Sequence, residues 1–95
     1  MAKSQVFSFK ASFSLSALKD KDRKEVERRL SWFEKAKTVD FRRKVIVTKL
    51  AHPDRHLIRL SNRLYGVISR RRNGLRVHDI FNQDAALNCF RGLNL

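Results

Sequence analysis

Phe7, Phe9, Ala11, Phe13 and Leu15 alternate with Ser8, Lys10, Ser12 and Ser14. A period of two over this stretch predicts a strand with one buried face. The serines of "SLSALKD" can then cap a helical start, and Asp22 with Glu25 is a capping-box-like pair with Asp in place of Ser or Thr. Val26, Leu30 and Phe33 follow at i, i+4 and i+7, one face of a helix running to about Lys37. Trp32 lies off that line, where it extends the apolar face or covers a neighbouring element. After Asp40 the pattern shortens and becomes β-branched. "RRKVIVTKL", "RHLIRLS", "RLYGVISR" and "LRVHDIF" each read as a strand, and "NQDAALNCFRGL" as a short closing helix starting near Asn82 or Asp84. The expected fold class is α+β: an N-terminal strand, a helical pair, an antiparallel sheet of three to four further strands, and a short C-terminal helix. No repeat or Pro/Gly-rich linker divides residues 1–95, so a single domain is expected.

Asn73-Gly74 between two strand-like runs is a strong hairpin signal. A two-residue loop there sets Arg71 opposite Arg76, Ser69 opposite His78 and Val67 opposite Ile80. Alternation then sends Arg70 and Arg72 to one face, the core face with Ile68, Leu75, Val77 and Phe81, and Arg71 to the other. Arginines facing each other across a ladder repel. A phosphate between Arg71 and Arg76 turns that repulsion into a paired site, with the titratable His78 beside it.

Charge sharpens this picture. The chain carries 22 Lys+Arg against 9 Asp+Glu, a net +13 with a pI near 11.2, which expects a polyanionic partner. Residues 41–76 hold eleven of the cations and one acid, Asp54, hence +10 of the +13. The helix near residues 20–37 mixes signs, with Asp20, Asp22, Glu25, Glu27 and Glu34 among its cations, as a solvated helix surface does. The predicted sheet is therefore the anion-facing part, and Lys44, Lys49, Arg55, Arg59, Arg63, Arg70, Arg71, Arg72 and Arg76 are its candidate nucleic-acid contacts. A membrane-binding role would need a long basic amphipathic helix, and the one candidate carries those five acids.

Other chemistry is weakly supported. His52 and His56 stand four apart around Pro53 and Asp54, but the proline argues against a helix and no third ligand follows, so no metal is expected. His56 alternates with Ile58 and Leu60 and could face nucleic acid. The lone Cys89 rules out an internal disulfide and reads as packing. Gly66, Gly74 and Gly92 are too scattered for a nucleotide cradle, and no cofactor is expected. The first residues alternate and lack a secretory pattern, so a cytoplasmic protein is expected.

Three stretches, "SLSALKDKDRKEVERRL", "HLIRLSNRLYGVISRRRNG" and "LRVHDIFNQDAAL", in that order, resemble the RelE/ParE superfamily of toxins from toxin–antitoxin pairs. The likeness spans about residues 5–90 and rests on element order and pattern. It implies a RelE-like toxin: a metal-independent endoribonuclease acting on messenger RNA at the ribosome, and held by an acidic antitoxin. In that reading His78, Arg71 and Arg76 are the catalytic candidates, because the RNA 2′-hydroxyl is the nucleophile and the enzyme supplies charge and proton transfer. The sequence departs from the family pattern at Gly66, where an arginine is usual, and at Asn82, Gln83 and Leu87, where His, Arg and Tyr are common. Those departures favour the alternative, a non-catalytic binder of the same fold that is directed at DNA gyrase or at RNA or DNA.

Overall fold

The computed structural model describes residues 4–48, 54–72 and 74–82. In chain order these form β1 (Ser4–Phe7), α1 (Phe9–Ser16), α2 (Asp20–Lys35), α3 (Thr38–Lys44), β2 (Val45–Thr48), β3 (His56–Arg59), β4 (Leu64–Arg71) and β5 (Gly74–Asn82). The class is α+β. The five strands make one sheet in the order β1-β5-β4-β3-β2. β2 to β5 are antiparallel neighbours, whereas β1 pairs parallel to β5, so the sheet is mixed rather than wholly antiparallel.

The alternating run that predicts one strand over residues 7–15 instead splits into a strand and a helix. Ser8 is the reason: it is extended, and its side chain accepts from the Ala11 backbone N–H at 3.1 Å, capping α1. A period of two also contains i, i+4 pairs. Ala11 and Leu15 face the core through one such pair, while Phe9 and Phe13 form another that faces solvent, 88% and 70% exposed. α2 starts at Asp20, so Asp22 and Glu25 lie inside the helix and cap nothing; the capping position is Lys19. Val26, Leu30 and Phe33 are buried, as their spacing predicts. α3 is an element that the sequence pattern hides, because its apolar anchor is the single residue Phe41. It takes Arg42, Arg43 and Lys44 off the sheet and onto a helix C-terminus, which suits cations. The closing helix over "NQDAALNCFRGL" lies outside the described residues except for Asn82, which ends β5.

The helices cover one face of the sheet. Val26, Leu30, Phe33 and Phe41 pack with Ile58, Leu60, Ile68, Leu75, Val77 and Ile80. Burying side chains of this size supplies roughly 1.5–3 kcal/mol each. Gly66 belongs to this face, between Ile58 and Ile80 in the ladders. A Cβ there would stand 2.8 Å from Leu60 Cδ1, so Gly66 is a packing position.

Candidate nucleic-acid interface around His78

The β4–β5 hairpin turns one residue earlier than the sequence suggests. Arg71 pairs with Gly74, whereas a loop at Asn73-Gly74 would pair Arg72 with Leu75. Gly74 has φ 142, a conformation that L side chains rarely adopt, and this lets the ladder close one residue early. Arg71 therefore faces a glycine and Arg76 faces Ser69; the expected Arg71–Arg76 pair does not form. The repulsion is relieved by register.

A bulge then changes the faces. Val67 pairs with Asp79 but Ile68 pairs with Val77, leaving His78 as the extra residue on β5. Val77 and Ile80 are both buried in the core, while His78 and Asp79 between them turn to the sheet face away from the helices. Ile80, expected opposite Val67 on the far face, is thereby a core residue beside Gly66, and Phe81, expected in the core, instead pairs with Tyr65 and stacks on its ring at 6.5 Å. Ser8 fastens the bulge. Its N–H donates to the Val77 carbonyl at 2.9 Å and its hydroxyl to the His78 carbonyl at 2.6 Å. Lys10 adds an ion pair with Asp79 at 3.2 Å.

The functional groups collect around this bulge. Ser69 is fully buried, and its Oγ lies 2.7 Å from His78 Nε2. Arg71 Nη2 reaches Asp54 Oδ2 at 3.1 Å. Partial burial and the positive field of Arg55 and Arg76, with a smaller push from Arg71, hold the His78 imidazole below its usual 6.5; Asp54 pulls the other way. His78 is therefore neutral at pH 7, in a field made by three guanidiniums and one carboxylate.

The other candidates scatter. Arg70 turns to the helix side, where its guanidinium donates to the Ala36 carbonyl and lies over the Phe41 ring at 4.9 Å. His56 also falls on that side, edge-on to Phe41 at 5.5 Å, so it does not face nucleic acid beside His78. Burial lowers its pKa, against the pull of Asp54. Arg59 ends β3 and donates to the Ser61 and Asn62 carbonyls at 3.1 and 3.2 Å, and exposed Arg63 lies in the same turn. Arg72 is exposed in the hairpin turn, and Lys44 ends α3. Lys49, His52 and Cys89 lie outside the described residues. Asp54 and Ser8 are the participants that sequence reasoning missed. Asp54 had a signal, as the one acid in a basic stretch; Ser8, 70 residues from His78, had none.

Among the described residues, no group of three His, Cys, Asp or Glu side chains is placed to hold a metal, and no helix is long and apolar enough to cross a membrane. Neither a family model nor a curated protein matches the chain.

Proposed function

We propose that the chain is a RelE-like toxin that cleaves messenger RNA at the ribosome in the cytoplasm, restrained by an acidic antitoxin. The observation that carries this reading is the Ser69–His78 pair set among Arg55, Arg71 and Arg76. Metal-free cleavage needs a neutral base beside the 2′-hydroxyl and fixed cations around the phosphate. His78 is neutral, and Ser69 occupies Nε2, leaving Nδ1 to take the 2′-hydroxyl proton. The 2′-oxygen then bonds to phosphorus, the P–O5′ bond breaks, and the 5′-oxygen takes a proton from the imidazolium or water. The arginines stabilise the extra charge on the phosphorane. The order strand, helices, antiparallel strands also agrees with what the resemblance implies.

One observation favours the non-catalytic reading, directed at gyrase or at RNA or DNA. Among the described residues Asp54, the one carboxylate in the field of His78, is tied to Arg71, and no second proton-transfer group stands ready. Inducing the chain in cells, where messenger RNA is being translated, and mapping messenger ends by primer extension separates the two. The nuclease gives new 5′-hydroxyl ends that vanish in His78→Ala. A binder gives none, and then Arg71→Gln with Arg76→Gln weakens binding while His78→Ala does not.

A further inference from the structure

A second basic site lies towards the far end of β4. Arg29 of α2, Arg43 and Lys44 of α3, and Arg59 of β3 line a groove of about 350 Å³, together with Phe33 and Tyr65. Phe33 is buried and Tyr65 half-buried, while all four cations are exposed. Among the described residues, no acid lines the groove. None of its cations joins the ion pairs of the described residues, which are Lys10–Asp79 and Arg71–Asp54. A neighbouring groove of about 380 Å³ shows the contrast: there Lys21 and Arg63 are balanced by Asp22 and Glu25. Of these two grooves, the first carries the uncompensated charge. Arg59 is also held in place by its two bonds to the Ser61 and Asn62 carbonyls, which leave its charge unneutralised.

We propose that this groove binds a nucleotide of single-stranded nucleic acid, its phosphate between Arg43, Lys44 and Arg29 and its base against Tyr65. A cationic groove that follows the backbone, with an aromatic wall for a base, is how single strands are held without sequence preference. The inference rests on the reading of the chain as a nucleic-acid binder and adds a second contact point. By alternation Tyr65 lies on the same side of β4 as Ser69 and Arg71, and six residues of strand separate Tyr65 from Arg71, about 20 Å at ~3.3 Å per residue. One strand several nucleotides long spans both sites.

The test is fluorescence anisotropy with a labelled oligouridylate of about 12 nucleotides, over a range of salt, on the full chain and on Arg43→Gln/Lys44→Gln. Both positions are exposed, and circular dichroism confirms the fold. The expected result is binding weakened roughly tenfold at about 0.1 M salt, with the log–log salt slope shallower by about 1.4, from ~0.7 per lost phosphate contact. Arg43→Lys with Lys44→Arg should restore both. Unchanged affinity and slope in the Gln variant, with loss in Arg71→Gln/Arg76→Gln, overturn the groove and leave the His78 site standing. No binding by the unmodified chain overturns the nucleic-acid reading itself. An equal loss of binding to labelled polyglutamate overturns the nucleotide assignment in favour of an acidic protein partner.

Discussion

Ser69 Oγ and His78 Nε2 are 2.7 Å apart, although the ladder pairs Ser69 with Arg76. Two departures from a regular hairpin shape the surroundings of this contact. The loop closes one residue early and slides β5 against β4, which leaves His78 next to Arg76 along β5 and diagonal to Ser69 on the same face. A regular ladder with the observed loop would keep His78 on that face, opposite Val67, but turn Asp79 into the core and Ile80 out of it. The bulge adds a residue at His78, and so holds Asp79 outside and keeps Ile80 inside.

Ser69→Ala should remove this bond without moving the strand. Ser69 is fully buried, so the loss leaves His78 Nε2 without its partner and costs about 1 kcal/mol in chemical denaturation. The His78 ring signals should titrate differently in NMR, while those of His56, against Phe41 on the other face, stay in place. Equal shifts in both histidines would mean that the substitution disturbs the whole sheet.

Asp54 pairs with Arg71 at 3.1 Å, and in the proposed reading it competes with a phosphate for that guanidinium. The pair is about half exposed on each side, so it contributes little to stability. Asp54→Asn should free Arg71 and remove the one negative charge that raises the His78 pKa. Tighter binding of RNA and a further lowered His78 pKa are expected together, read by anisotropy and by NMR titration. Weaker RNA binding would show that Asp54 orients Arg71 rather than competing for it.

The three consecutive arginines show how far the sequence can be read. Alternation alone separates Arg70 from Arg71, and the structure separates them, with Arg70 at Ala36 and Phe41 and Arg71 at Asp54. Strands β3, β4 and β5 and the buried stripe of α2 follow from local periodicity. The register does not, because one bulge and one glycine φ decide it, and neither leaves a pattern in composition. α1 was hidden because a period of two contains i, i+4 pairs, so only the Ser8 cap settles the choice. The parallel pairing of β1 with β5 is a contact between chain segments 70 residues apart, for example Ser4 with Gly74, and no local signal encodes it.

Arg70→Gln and Arg71→Gln should therefore fail in different ways. Arg70 holds the Ala36 carbonyl at the end of α2 and covers Phe41, so its loss should cost about 1–2 kcal/mol and lower the melting temperature. Its effect on the salt dependence of RNA binding should be small. Arg71→Gln should leave melting nearly unchanged and make the salt slope shallower by about 0.7. Thermal melts and salt-dependent anisotropy on the two variants separate structural from anion-facing arginines; a steeper binding defect in Arg70→Gln would reverse the assignment.

Stability should fall on mild acidification, and His56 should account for part of the fall. Burial lowers the pKa values of His56 and His78 below 6.5 in the folded chain. The unfolded chain takes up these protons first, near 6.5, so it binds more protons than the folded state just below that pH. Stability is then full above about 6.5 and declines as pH drops from there towards the lowered folded values. Melting temperatures between about pH 7.5 and 5.5 should decrease, above the range where carboxylates titrate. His56 Nδ1 is also buried without a hydrogen-bond partner among the described residues. His56→Leu should keep an apolar contact with Phe41, remove that orphaned nitrogen and flatten the pH dependence, without loss of stability at pH 7.5. A pH slope unaltered by His56→Leu would place the whole acid sensitivity on His78 or on groups elsewhere.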